Sequence, residues 1–174
     1  MWQHGCMKRD EVDEIVAAWH RERPDLDVGP LEVLSRLDRL AGVLNERRVA
    51  IFARHELRRH EFDVLAALRR AGAPFELTAG ELAARTYVTS GTMTSRLDGL
   101  TERGLVTRAA DREDGRLVRV ALTRAGRARV DAAFEALLDA ERDLLAPLGD
   151  DARAALAQRL RALLMRVTSE TVAS

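Results

Sequence analysis

Residues 78–104 read TAGELAARTYVTSGTMTSRLDGLTERG, and this stretch decides the fold. Thr78 and Glu81 have the spacing of a capping box, in which the hydroxyl and the carboxylate each satisfy a free backbone donor, so a short helix is expected through Leu82 to Arg85. Thr86 to Thr89 reads as a turn. From about Ser90 a second helix carries Met93, Leu97 and Leu100 inward and stops at Gly104. Two short helices joined by a tight turn make a helix-turn-helix.

Downstream, Leu105 to Arg108 and Leu117 to Leu122 have strand character, separated by the polar stretch Asp111 to Arg116 with Gly115 for the turn, so a two-stranded wing is expected. Upstream, Phe62, Leu65 and Leu68 place a helix over His60 to Arg70, stopped by Gly72 and Pro74. Before it, an amphipathic segment over Asp10 to Arg23 ends at Pro24, and after a loop to Pro30 a long helix runs from Leu31 to about Arg54. After Thr123, Val130, Phe134, Leu137 and Leu138 mark another long helix to Leu145. Pro147 and Gly149 interrupt it, and Leu156, Leu160, Leu163 and Val167 form a short coiled-coil-like seam on a last helix from Asp150 to about Val167. The expected fold is mainly α with a small two-stranded β wing, a single unit over 1–174.

Of the 174 residues, 47% are apolar and only 4% aromatic, which gives a core of Leu, Val and Ala and favours an α-rich chain. The formal net charge is zero, yet between Arg96 and Arg129 nine arginines stand against five acids. Lys8 is the sole lysine, so nearly all positive charge lies on guanidinium groups, which suit phosphate and guanine contacts; a GC-rich coding sequence produces the same bias. The one cysteine, Cys6, excludes an internal disulfide, no apolar run approaches the ~20 residues of a membrane span, and Met1 to Asp10 lacks the apolar middle of a secretory signal. A cytoplasmic protein is expected. No phosphate-cradling glycine loop, Gly-x-Ser-x-Gly elbow, His-Glu-x-x-His helix or Cys-x-x-Cys pair occurs, so neither catalytic residues, a metal site nor a cofactor is expected. His4, His20, His55 and His60 match no ligand spacing.

The strings Ser90-Gly-Thr-Met-Thr-Ser-Arg-Leu-Asp-Gly-Leu100, Glu102-Arg-Gly-Leu-Val106, Asp114-Gly-Arg116 and Val120-Ala-Leu-Thr123, in this order, resemble the MarR family of bacterial regulators over Asp10 to Val167. The resemblance implies an obligate homodimer held by the helices of 10–54 and 123–170, with 60–122 as a winged helix-turn-helix region. It implies two recognition helices in successive major grooves of double-stranded DNA and two wings on the flanking minor grooves, on a pseudo-palindromic operator, usually as a repressor. A helix enters a groove by its N-terminal turn, where small polar side chains permit close approach; Thr89, Ser90, Thr92, Thr94 and Ser95 are such residues, with Arg96 behind them. In the wing, Arg116 stands where the family inserts a guanidinium into the minor groove, with Asp114 placed to orient it and Arg112 as a second candidate. The family often has a basic residue where this chain has Gly115.

A sharper likeness is to the urate- and phenolic-responsive branch, whose tryptophan, aspartate and arginine fall here on Trp19, Asp63 and Arg96. An indole stacks on a flat heterocycle, a guanidinium pairs with an anionic oxygen, and a carboxylate holds that arginine when the ligand is absent. Displacement of Asp63 from Arg96 would shift the recognition helix, and couplings of ~1–3 kcal/mol suffice for regulation. That branch often adds an arginine where this chain has Thr78. Two alternatives are a helical dimeric adaptor with no DNA role, favoured by the zero net charge, and a redox-responsive regulator using Cys6.

Overall fold

The computed structural model describes residues 9–111, 114 and 116–172. Seven helices and three strands follow in the order α1 (Glu11–Glu22), α2 (Gly29–Arg54), α3 (Arg59–Arg70), β1 (Glu76–Thr78), α4 (Ala79–Arg85), α5 (Ser90–Glu102), β2 (Val106–Ala110), β3 (Val118–Leu122), α6 (Arg124–Leu145) and α7 (Asp150–Val172). The chain divides into two compact units, Met1–Arg59 and His60–Ser174.

In the first unit, Asp10 caps α1. Its carboxylate accepts from the N–H groups of Val12 and Asp13, and the Asp13 carboxylate accepts from the N–H of Asp10, closing a capping box. Val12 and Val16 are buried with Val28, and Leu31 packs against them. Helix α2 begins at Gly29 rather than Leu31: Pro30 lies inside its first turn, where a missing N–H has no helical partner to lose. Only Phe52 is buried among its 26 residues.

Arginines of α2 clasp the start of α1. Arg36 donates to Asp10, Asp13 and Glu32, and Arg39 makes a two-pronged pair with Glu11. The bonds from Arg36 hold the Asp10 carboxyl below its usual range, and those from Arg39 do the same for Glu11. Both folded values lie below the unfolded ones. The attachment is therefore complete above the unfolded carboxylate range of about pH 4 and is lost as acidification passes through the folded values. We expect the melting temperature to fall on acidification below about pH 4, and Arg36→Ala to flatten that fall. An identical acid profile in the variant would contradict this assignment.

The second unit is a helical body carrying a small sheet of order β1-β3-β2, all antiparallel. Strands β2 and β3 are the expected wing, with Val106 opposite Leu122 and Ala110 opposite Val118. The sheet has three strands, not two: Glu76 to Thr78 pairs with β3, with Leu77 opposite Val120. Leu65, Leu68, Leu82, Met93, Leu97, Leu100, Leu105 and Val120 are all fully buried. Phe75 is held between two guanidiniums, Arg69 at 5.0 Å and Arg127 at 4.7 Å from its centroid, and both arginines pair with Asp131.

Helix α6 starts at Thr123, whose hydroxyl accepts from the Gly126 N–H at 2.9 Å and donates to the Gly104 carbonyl at 2.8 Å. Among its described side chains, α7 has none buried, and Leu156, Leu160, Leu163, Leu164, Met165 and Val167 are all exposed. Among the described residues, no helix is long and apolar enough to cross a membrane.

Candidate nucleic-acid interface

The helix-turn-helix is fixed by its caps. Thr78 Oγ1 accepts from the Glu81 N–H at 3.2 Å while the Glu81 carboxylate accepts from the Thr78 N–H at 2.7 Å, the expected reciprocal pair. That backbone bond holds the Glu81 carboxyl below its usual range. The Thr86 hydroxyl donates to the Leu82 carbonyl at 2.7 Å and closes α4.

Thr89 caps α5: its backbone is extended, and its Oγ1 accepts from the Thr92 N–H at 3.3 Å and shares a 3.0 Å bond with Thr92 Oγ1. Met93, Leu97 and Leu100 face inward, as their spacing requires. Thr89, Ser90, Thr92, Thr94 and Ser95 are all exposed, and the Thr94 hydroxyl donates back to the Ser90 carbonyl at 3.1 Å. The first turn contains no acid, so nothing opposes the positive end of the helix dipole.

The wing is organised by a residue that the sequence reading passed over. The Asp111 side chain is 4% exposed; it accepts from the Asp114 N–H at 2.9 Å and pairs with Arg119 Nε. Arg119 also reaches Glu76 at 3.1 Å, and its two carboxylate partners, Asp111 first, raise its already high pKa. The hairpin closes through Asp111 N–H to Leu117 O and Leu117 N–H to Asp114 O, both 2.9 Å. The Asp114 carboxylate accepts from the Arg116 backbone N–H at 3.0 Å. The Arg116 guanidinium is exposed and has no ion pair or hydrogen bond among the described residues. Arg112 and Gly115 lie outside the described residues, as do His4 and Cys6.

Two further ion pairs tie α5 into this surface. Asp98 on α5 pairs with Arg108 on β2, which joins that helix to the wing. At the other end of α5, Arg103 donates to both oxygens of Glu61 at 2.9 Å, and Glu61 is buried on α3. Sequence spacing carries no sign of either, because each joins side chains of two different elements, 10 and 42 residues apart.

The three candidate ligand residues fall in both units. Trp19 is on α1 of the first unit and 49% exposed; Asp63 on α3 and Arg96 on α5 belong to the second. No ion pair joins Asp63 to Arg96, whose half-buried guanidinium has no hydrogen-bonding partner among the described residues. No group of three or more His, Cys, Asp or Glu among the described residues could hold a metal ion.

A profile of the MarR family matches residues 55–117, the span from α3 to the wing. The HTH-type transcriptional regulator PecS of Dickeya dadantii is 36% identical over 162 residues, covering 93% of this chain and 95% of that protein. The chain belongs to the MarR family. It is a transcriptional regulator of that family rather than an enzyme. Solved MarR-family structures share the fold. A mutant MarR of E. coli complexed with operator DNA is 26% identical, with a TM-score of 0.62 over 80% of this chain and 99% of that one. BpsR of Bordetella bronchiseptica, solved to explain how 6-hydroxynicotinic acid regulates its DNA binding, is 26% identical, with a TM-score of 0.57 over 74% of this chain and 98% of that one.

Proposed function

We propose that this MarR-family chain binds duplex DNA as a homodimer, with α5 in the major groove and the β2–β3 wing on the adjacent minor groove, and represses until a small anionic aromatic ligand releases it. The observation that carries the DNA reading is the pairing of an acid-free, exposed Thr/Ser turn at the start of α5 with an exposed Arg116 at the wing that has no partner among the described residues. Similarity to a MarR solved on operator DNA supports it.

The dimer reading rests on α7, whose exposed leucines make no sense on a lone chain in water. Leu160→Glu places a charge in the middle of that seam. Sedimentation is expected to show the parent as a dimer and this variant shifted towards monomer; a variant that sediments as the parent does would remove α7 from the interface.

The ligand reading rests on Arg96, a half-buried guanidinium without a partner among the described residues, on the helix that would enter the groove. Such a group suits an anionic oxygen. BpsR, whose DNA binding responds to a hydroxylated heteroaromatic acid, supports this class.

The test is fluorescence anisotropy of a labelled duplex from immediately upstream of the protein's own gene, beside a scrambled duplex, with and without saturating urate. Selective binding weakened by urate, and insensitive to it in Arg96→Ala, supports the whole reading. Selective binding indifferent to urate keeps DNA recognition and removes this ligand; no preference over scrambled DNA favours an adaptor.

A further inference from the structure

Tyr87, the chain's single tyrosine, sits in the turn between α4 and α5 and is 95% exposed. Its φ is 54°, in the left-handed region that a side chain with a Cβ occupies at a cost and glycine occupies freely. The turn imposes that angle: Tyr87 N–H points back to the Ala84 carbonyl and Val88 N–H to the Ala83 carbonyl, which brings Thr89 to its capping position. The tyrosine hydroxyl and ring have no hydrogen bond or ring contact among the described residues. Packing therefore does not call for an aromatic residue here, and the backbone would prefer none. A strained, exposed residue whose side chain does nothing for its own fold is explained by what it meets outside the chain.

We propose that Tyr87 is a further DNA-contacting residue of this regulator, its hydroxyl donating to a phosphate oxygen at the edge of the groove that α5 enters and its ring lying over the adjoining sugar. This rests on the DNA reading above. Tyr87 stands two residues before the Thr89 cap, beside the helix end that reading sends into the groove. Tyrosine suits that boundary because one end of it is apolar and the other polar. Such a contact positions the protein without reading bases, so its effect is the same on selected and scrambled sequences. It also adds no charge. Unlike an arginine contact it releases no counterion, and its loss leaves the salt dependence of binding unchanged.

The experiment compares Tyr87→Phe and Tyr87→Gly with the parent, by anisotropy on the upstream duplex over a range of salt and by thermal melting. Tyr87→Gly is expected to melt at or above the parent temperature, because the left-handed strain is gone. Tyr87→Phe is expected to weaken binding about tenfold, and Tyr87→Gly more, with parallel salt slopes in all three. Tyr87→Phe binding within about twofold of the parent would overturn the phosphate contact. A parent that does not bind the duplex at all would instead overturn the DNA reading itself, and with it this inference.

Discussion

Gly126→Ala is expected to destabilise the second unit more than the same change at any other described glycine in it. A Cβ at Gly126 would stand 1.9 Å from the Leu105 carbonyl oxygen and 2.9 Å from its carbon, with Leu122 Cδ2 at 3.2 Å. That carbonyl is not free to move. It accepts from Thr123 N–H at 3.2 Å, and the Thr123 hydroxyl beside it caps the Gly126 N–H. The next residue, Val106, is in register with Leu122 across the wing. Relief therefore requires the first turn of α6 to lift off the sheet, breaking the cap that connects them. Overpacking costs typically ~1–3 kcal/mol, and a backbone-on-backbone clash belongs at the upper end. At roughly 2–4 °C per kcal/mol for a chain of this size, the melting temperature should drop by several degrees. Gly91→Ala is the control, since a Cβ there meets nothing within 4 Å. It is expected to melt at or slightly above the parent temperature, because alanine is the better helix residue. Equal melting of Gly126→Ala and the parent would show that α6 does not sit on Leu105 as described.

Arg116→Ala is expected to leave folding untouched and to cut DNA affinity. Its guanidinium is exposed and holds no partner among the described residues, so its removal leaves none of their buried groups without a partner. On DNA, each lost arginine contact is worth ~1–3 kcal/mol, and a dimer loses two, so affinity should fall at least tenfold. The slope of log affinity against log salt should become shallower by about 2, one per lost cation. Arg119→Ala separates positioning from contact. Arg119 is engaged with buried Asp111 and with Glu76, so its loss should lower the melting temperature as well as the affinity. If Arg116→Ala bound with parental affinity and slope, the wing would not touch DNA.

The difference between these two arginines marks how far the sequence could be read. Local chemistry was legible. Thr78 with Glu81, Met93 with Leu97 and Leu100, and Thr123 ahead of α6 act within a few residues of themselves, and the structure places them as the spacing implies. Helix ends at Pro24 and Gly104 are legible for the same reason. Strand β1 is not, because three residues carry no periodicity and its register is supplied by β3. Nor is Asp111, which reads as a polar turn residue until the hairpin folds over it and buries its carboxylate. The approach of the Leu105 carbonyl to Gly126 is likewise invisible in the sequence, because it joins the start of α6 to the residue before β2. At the candidate ligand site, Trp19, Asp63 and Arg96 come from family resemblance rather than from spacing or composition, and no ion pair joins Asp63 to Arg96 in this structure.

The measurement that tests the central claim most directly is a hydroxyl-radical footprint of the protein on the duplex upstream of its gene, read at single-nucleotide resolution. Two recognition helices related by a two-fold axis, each with its wing, predict protected patches about 10 base pairs apart, symmetric about one centre, with the outermost protection lost in Arg116→Ala. Uniform cleavage, or protection with neither symmetry nor dependence on Arg116, would contradict the placement of α5 and the wing on DNA.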